Sequence, residues 1–223
     1  TPPQQNWEPI RVPLTLVNPH WNAKNYPVKA SSFSGLDDSY QLSRVRGADC
    51  VWYKTDFNMP DSWSDRRIEL YVDMANYHVN VWVNGRYIGE HKGWVSPVQM
   101  KLNAAVKPGK NEILMMVARA ERNYRMMLGE LSIMNDNWGI MGDVYLRTTD
   151  PVYVSDTWVI TSLRKQAITV KTWLTNDTHE PKQLTMTQRC VLDGGTRLEF
   201  PSQDILIPAG QTVRVESVRP WTD

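Results

Sequence analysis

The stretch HVNVWVNGRYI, residues 78–88, decides the fold class of this 223-residue chain. Apolar and polar residues alternate up to Val83 and again from Arg86, which is the period of a strand with one buried face. Asn84-Gly85 stands between the two runs, and this pair favours a tight type I′ turn because both central residues need a positive φ. The stretch therefore predicts a β-hairpin.

Short β-like runs separated by turn residues continue on both sides of the hairpin. Strands are predicted at residues 51–57 and 67–72 before it and at residues 112–120 and 139–146 after it, with a turn over residues 107–111 and a long loop over residues 121–137. Residues 1–46 lack a long period, and we expect them to form extended segments and loops that wrap a core.

A second group of runs follows Asp150-Pro151. The residue before a proline is biased away from helical geometry, and the pair predicts a domain boundary. Strands are expected at residues 153–161, 167–174, 183–192 and 211–218, a spacing typical of an all-β sandwich. The segment 152–223 holds 72 residues, fewer than the roughly 100 of an immunoglobulin-like sandwich, so we expect it to be incomplete.

Composition excludes two classes of protein. Lys plus Arg number 25 and Asp plus Glu number 24, which leaves a net charge of +1, whereas nucleic-acid binders concentrate basic charge. The longest purely apolar run, residues 113–118, has six residues, far short of the roughly 20 that cross a bilayer. We therefore expect no nucleic-acid partner and no membrane span, and we expect any secretion signal to have been removed.

The cysteines and aromatic residues give weaker indications. Cys50 and Cys190 are the two cysteines and show no metal-ligand spacing, so we expect buried free thiols. Ten tryptophans and nine tyrosines either fill the space between two sheets or stack on sugar rings, whose C–H faces suit an aromatic surface.

Motifs for a self-contained active site are missing from the sequence. It has no G-x-S-x-G nucleophile elbow and no phosphate-binding G-x-x-x-x-G-K-[ST] loop, two signatures of catalytic or nucleotide sites. Its four histidines are isolated, without the spacing of a zinc site. We therefore expect no catalytic residue, no metal and no cofactor.

The polar cluster around Trp138 is the main candidate for ligand contact. Asn135, Asp136 and Trp138 together could bind sugar hydroxyls, with the indole ring as a stacking surface. The alternative is a loop in which the Asn and Asp side chains bond their own backbone. The stretch 89–94 is a second candidate, although a tight loop whose His91 satisfies neighbouring carbonyl groups is the stronger interpretation.

Four segments in order resemble the sugar-binding domain of glycoside hydrolase family 2. Trp52-Tyr53, followed by Phe57, Pro60 and Trp63, is similar to the opening motif of that domain. Residues 81–93 resemble the hairpin of that domain, residues 107–113 its "lysine/arginine-x-G-x-N" turn, and residues 139–146 its closing strand. Residues 152–156 and the strands after them resemble the immunoglobulin-like domain that follows it.

The resemblance implies a galactose-binding-like jelly-roll β-sandwich over residues 1–150 and a truncated immunoglobulin-like β-sandwich over residues 151–223. It also implies that two glutamates on a separate (β/α)₈ barrel perform catalysis. Because such a barrel needs about 250 residues, no residue of this chain is expected to be catalytic. In the family, the stretch before the closing strand can enter the barrel's pocket, so Asn135, Asp136 and Trp138 are the predicted substrate contacts.

The resulting expectation is the non-catalytic N-terminal portion of a periplasmic or extracellular retaining glycosidase. It would help shape the substrate pocket and support its own missing catalytic barrel. Trp94, where the family commonly has glycine, and Met141-Gly142 in the closing strand leave galactosidase, glucuronidase and mannosidase activities open. A free-standing carbohydrate-binding module without an enzymatic partner and an adhesin-like sandwich pair are the alternatives.

Overall fold

A computed structural model of the chain describes residues 2–5, 7, 9–10, 12–13, 16–17, 50–93, 96–119 and 137–221. These residues form strands and one 3₁₀ turn, Asp61–Trp63, so the predicted all-β class is confirmed. The chain divides into two compact units: unit 1 joins Thr1–Ser64 with Ile68–Thr148, and unit 2 joins Asp65–Arg67 with Thr149–Asp223. The predicted domain limits, residues 1–150 and 151–223, stay a prediction.

Unit 1 contains two antiparallel sheets. In the larger one the order is β1-β8-β4-β7-β2, with β5 also paired to β4, and in the smaller one the order is β6-β3-β9. The strands, in chain order, are β1 (Leu16–Val17), β2 (Cys50–Met59), β3 (Arg67–Val72), β4 (Ala75–Val83), β5 (Arg86–Gly93), β6 (Val98–Lys101), β7 (Gly109–Ala118), β8 (Asn137–Ile140) and β9 (Val144–Thr149).

The core of unit 1 lies between these sheets. Alternate residues of β4 and β7, among them Val79, Val81 and Val117, are fully buried and pack in one cluster with Leu70 and Val72 of β3. The intervening residues of β4 and β7 face outward and are half-buried. The period-2 pattern of the sequence agrees with the buried face of β4, whereas residues 113–118 of β7 are continuously apolar and carry no such pattern.

The predicted hairpin is present. Asn84 has φ of 51° and Gly85 has φ of 78°, the positive values that a type I′ turn requires. Between Val81 and Trp82 the pairing of β4 with β5 shifts, so that Gly89 lies opposite Val81 and Tyr87 lies opposite Trp82. This β-bulge directs Tyr87 onto the face that carries Trp82.

Two asparagines join this hairpin to the turn before β7. The side-chain amide of Asn84 donates to Ala105 O and to Oδ1 of Asn111, each at 2.8 Å. The buried Asn111 also accepts from Lys107 N at 2.9 Å and donates to Lys107 O and Gly109 O. The asparagine of the "x-G-x-N" turn thus bonds backbone groups of its own turn, at Lys107 and Gly109.

The predicted closing strand, residues 139–146, is wrong as one element. It is divided into β8 and β9, which belong to different sheets. At the crossing, Met141 N and Gly142 N both donate to Met74 O at 2.9 Å. A Cβ on Gly142 would lie 2.6 Å from both Asp73 Cβ and Met74 N, so only glycine allows the backbones to approach this closely.

Unit 2 contains a three-stranded sheet of order β10-β11-β16 and two pairs, β12-β15 and β13-β14. Its core comprises one cluster around Leu174 and Ile207 and another around Val170 and Phe200. The strands are β10 (Val152–Ser162), β11 (Ala167–Asn176), β12 (Lys182–Met186), β13 (Arg189–Leu192), β14 (Gly195–Glu199), β15 (Gln203–Ile207) and β16 (Thr212–Pro220).

Three expectations need correction: two concern the strands of this half of the chain, and the third concerns the burial of the cysteines. The predicted strand 183–192 is two strands, because Phe200 N donates to Gln188 O at 3.0 Å where β12 has ended and β13 begins. Strands β14 and β15 had not been predicted. The cysteines are free thiols as expected, but Cys50 is exposed and Cys190 is half-buried. Cys50 begins β2, the last strand in the order of the larger sheet.

Candidate functional site

The structure describes one of the three predicted substrate contacts. Asn135 and Asp136 lie outside the described residues, as does the predicted loop up to residue 136. Trp138 lies in β8 and is 2% exposed. An indole ring with this burial has no open face for a sugar, so its expected contribution is to hold the strand in place.

Strand β8 is held on both sides. Trp138 pairs with Leu16 of β1, and on the other side Gly139 pairs with Asn76 of β4. Strand β7 also pairs with β4, from His78 to Val83. The segment 120–136 therefore connects β7 to β8, and both of these strands pair with β4.

Arg119 lies at the point where this segment begins, and sequence reasoning missed it. Its guanidinium carbon is 5.8 Å from the centroid of the Trp138 ring, within the range of a cation–π interaction. Its Nε is buried and finds no hydrogen-bond acceptor among the described residues. The available sequence signal was a lone arginine between a buried strand and a polar loop, which is a common pattern.

The second candidate stretch, residues 89–94, is not a loop over the part that is described. Gly89–Gly93 belongs to strand β5, and Trp94 lies outside the described residues. His91 Nε2 lies 3.1 Å from the Ser96 hydroxyl, so its recorded partner is a serine side chain and not the expected carbonyl group.

Charged groups in unit 1 occur mainly as surface pairs. Glu90 lies 2.7 Å from His78 and 3.6 Å from Lys92. The His78 hydrogen bond and then the Lys92 charge hold the pKa of Glu90 below its usual range. Within the described ranges, the histidines, cysteines and carboxylates form no group of three or more that could hold a metal ion.

The fold defines a class: an all-β chain whose first unit is a two-sheet sandwich with a long connection between β7 and β8, two strands that both pair with β4. The chain belongs to glycoside hydrolase family 2. The family model described as "Glycosyl hydrolases family 2, sugar binding domain" matches residues 14–151, which confirms the resemblance inferred from the four segments.

Several relatives are named beta-glucuronidase. The Formosa agariphila protein is 23% identical over 187 residues, 75% of this chain and 19% of the relative. The Mus musculus protein is 26% identical over 206 residues, 81% of this chain and 31% of the relative. Across the curated relatives compared, this chain spans between 13% and 31% of their length.

A solved structure supports the fold of nearly the whole chain. A calcium-binding mutant of Bacteroides uniformis beta-glucuronidase 2 superposes with a TM-score of 0.72 over 96% of this chain and 24% of its own, at 19% identity. Among the described residues, no helix is long and apolar enough to cross a membrane.

Proposed function

We propose that this chain is the non-catalytic N-terminal portion of a retaining β-glycosidase and that it shapes the substrate pocket of a separate catalytic barrel. One observation carries the proposal: the family's sugar-binding domain matches residues 14–151 of an all-β chain. A (β/α)₈ barrel needs about 250 residues, more than the 223 of the chain, so the bond-breaking residues belong elsewhere in the protein.

The proposed substrate class is a β-D-glucuronide. The support is that each curated relative compared is named beta-glucuronidase or putative beta-glucuronidase. Galactosides and mannosides are the competing classes, since the motifs that carry the family resemblance do not select among them.

In this proposal the segment 120–136 reaches the pocket, with Asn135 and Asp136 as its substrate contacts. An amide both donates and accepts hydrogen bonds and a carboxylate accepts them, so the two can bind neighbouring sugar hydroxyls. The cation–π contact between Arg119 and Trp138, with 5.8 Å from the guanidinium carbon to the ring centroid, would hold the two ends of the segment on the sheet. Trp138 then acts as a positioning residue.

The test uses the full-length protein encoded by the gene. Hydrolysis of 4-methylumbelliferyl β-D-glucuronide, galactoside and mannoside is measured for the wild type and for Asn135→Ala and Asp136→Ala. We expect turnover of the glucuronide and, in each variant, a KM raised by about tenfold, the effect of about 1.4 kcal/mol of lost binding. The exposed Asp61→Ala is the matched control and should leave KM unchanged.

The 223-residue chain alone should show no turnover. Turnover by the isolated chain that disappears when one of its own carboxylates is replaced would contradict the proposal. Sugar binding by the chain together with no activity of the full-length protein would favour the free-standing carbohydrate-binding module instead.

A periplasmic or extracellular location belongs to the same proposal, because an enzyme that acts on polymeric glycosides encounters them outside the cytoplasm. Immunoblotting of fractionated cells of the source organism tests it. Recovery of the protein solely in the cytoplasmic fraction would contradict the location without affecting the proposed chemistry.

A further inference from the structure

The outer face of the larger sheet of unit 1 carries three neighbouring aromatic rings. The centroids of Trp52 and Trp82 are 5.3 Å apart, and those of Trp82 and Tyr87 are 5.4 Å apart, with tilts of 37° and 57°. Tyr87 is 49% exposed, whereas the two tryptophans are half-buried. We name Trp52, Trp82 and Tyr87 the aromatic platform; the tilts make it a shallow trough.

Polar side chains line one side of the aromatic platform. His78 Nε2 lies 2.7 Å from Oε2 of Glu90 and 3.2 Å from the Asn80 amide nitrogen. The Tyr87 hydroxyl donates to Oδ1 of Asn80 at 3.1 Å, and Lys92 Nζ lies 3.6 Å from Oε1 of Glu90. We name His78, Asn80, Glu90 and Lys92 the polar rim. Its members hold one another in place.

The polar rim keeps hydrogen-bonding capacity for a ligand. An amide has two N–H donors and two acceptor lone pairs, and a carboxylate has about four acceptor sites. Nε2 of His78 can donate to Glu90 or accept from the Asn80 amide, but not both at once, so these contacts use at most one N–H donor and one acceptor site of Asn80 and one contact at each oxygen of Glu90. An apolar protein or lipid surface laid on this face would desolvate these groups without replacing their bonds to water, which costs free energy.

A cleft extends the aromatic platform along β2. It has a volume of about 510 Å³, and Trp7 and Trp52 both contribute to its lining, together with Lys54 and Asp56. Lys54 Nζ is 5.9 Å from the centroid of the Trp7 ring. The face therefore offers a fourth aromatic ring beside Trp52 and enough volume for more than one small polar ring.

Charge on this face is balanced. Lys54 pairs with Glu112 at 2.6 Å, and Lys110 pairs with Asp56 at 2.8 Å, while Lys92 and Glu90 compensate each other in the polar rim. Among the described residues, Lys54, Lys92 and Lys110 each have a carboxylate beside them, and Arg86 at the hairpin donates to Ala104 O. The balance favours an uncharged ligand with many hydroxyl groups.

We propose that the aromatic platform and the polar rim form a binding surface for a neutral pyranose oligosaccharide. A pyranose has an apolar C–H face that packs on an aromatic ring and a rim of hydroxyl groups that both donate and accept, and this surface presents both partners side by side. The surface consists of residues other than Asn135 and Asp136. Its role in hydrolysis rests on the proposed function: it would hold the neutral units of a polymeric substrate, away from the glucuronide bond that is cleaved.

The test titrates the 223-residue chain with three neutral probes, cellohexaose, xylohexaose and mannohexaose, and with a hyaluronan hexasaccharide as the anionic probe. Calorimetry and tryptophan fluorescence are read together, because Trp52 and Trp82 are expected to report contact. We expect at least one neutral probe to bind with a change in fluorescence. We expect Tyr87→Ala to weaken that binding by about tenfold or more, because Tyr87 is the most exposed ring of the aromatic platform and aromatic contacts commonly carry much of the binding energy.

Tyr145→Ala is the matched control. Tyr145 is 43% exposed and stacks on Tyr71 in the other sheet at 4.9 Å, so its removal should leave binding unchanged. Tyr87→Phe keeps the ring but not the bond to Asn80 and should retain most of the affinity. Circular dichroism checks that each variant is folded.

Three results would each contradict the proposed binding surface. They are no binding of any neutral probe at millimolar concentration, equal loss in Tyr87→Ala and Tyr145→Ala, and tighter binding of the hyaluronan probe than of every neutral one. Asp136 belongs to the other site, so Asp136→Ala should leave this binding unchanged. The glycosidase proposal is tested separately, by the activity of the full-length protein.

Discussion

Asn111 shows how one polar side chain can determine a turn. Its amide is 1% exposed and bonds to Lys107 N, Lys107 O, Gly109 O and the side chain of Asn84. Removing the amide would break these four hydrogen bonds, each of which contributes about 0.5–1.5 kcal/mol net.

We therefore predict that Asn111→Ala lowers the free energy of unfolding by about 2–3 kcal/mol, the net contribution of two or three such hydrogen bonds. Urea unfolding followed by tryptophan fluorescence measures it. The exposed Asn58→Ala in β2 is the control and should change stability by less than about 0.5 kcal/mol. An equal effect of the two substitutions would contradict the role assigned to Asn111.

Glu90 supplies a prediction about pH. Its pKa is lowered in the folded chain, chiefly by the hydrogen bond from His78. A lowered folded pKa means that the interaction stabilises the fold above the unfolded pKa and is lost as the pH falls through the folded value. Replacing His78 should therefore raise the pKa of Glu90 towards its usual range.

The carboxyl carbon of Glu90, followed by NMR over an acid titration, measures this change in His78→Gln. His91→Gln is the control, because the side chain of His91 contacts Ser96 and not Glu90. It should leave the pKa of Glu90 unchanged. A Glu90 titration that is the same in His78→Gln and in the wild type would show that the hydrogen bond does not carry the effect.

Strands β8 and β9 show what the sequence predicts at the scale of an element and what it does not. Alternation with Asn84-Gly85 predicted β4 and β5 because both signals are local. The division between β8 and β9 depends on a contact with Asp73 and Met74, which are distant in sequence. Strands β14 and β15 were missed because they are short, and the first follows directly from a glycine-rich turn.

The candidate site stays a prediction at Asn135 and Asp136, which lie outside the described residues. The polar sequence before β8 is visible in any reading of residues 135–138, but the burial of Trp138 depends on pairing with Leu16 of β1. The aromatic platform was hidden for the same reason. Trp52, Trp82 and Tyr87 become neighbours only through the register of β2, β7, β4 and β5, and through the bulge opposite Trp82.

The crossing at Gly142 gives a prediction for the element. Gly142→Ala should lower the free energy of unfolding by about 1–3 kcal/mol, the usual cost of forcing atoms into a packed region. Gly89→Ala in β5 is the matched control, since its Cβ would lie 3.9 Å from Met100 Sδ, an ordinary contact. Thermal unfolding compares the two, and equal melting temperatures would contradict the account of the crossing.

On the scale of the whole molecule, the two units have separate cores. The unit 1 cluster joins both of its sheets, whereas the described residues of unit 2 form small clusters around Leu174 and Val170 and leave several apolar side chains exposed, among them Trp158 and Val159. Units with their own cores commonly unfold as separate steps.

We predict two transitions in differential scanning calorimetry. Val81→Ala should lower the transition temperature of unit 1, and Val170→Ala should lower that of unit 2. Each substitution creates a buried cavity, which lowers the free energy of unfolding of its unit by about 1–3 kcal/mol. Both side chains are buried, Val81 at 0% and Val170 at 7% exposed, so each serves as the control for the other. A single transition shifted equally by both would show that the units unfold together.

The exposed thiol at the start of β2 gives this protein a natural attachment point for a reporter. Cys50 lies opposite Ala118, which lies opposite His78, so it points to the same side of the sheet as Trp52, two residues along. Once the half-buried Cys190 is replaced by serine, a maleimide dye attached to Cys50 would be unique in the chain. Its emission would then follow occupancy of the neighbouring aromatic rings directly, without chromogenic glycosides.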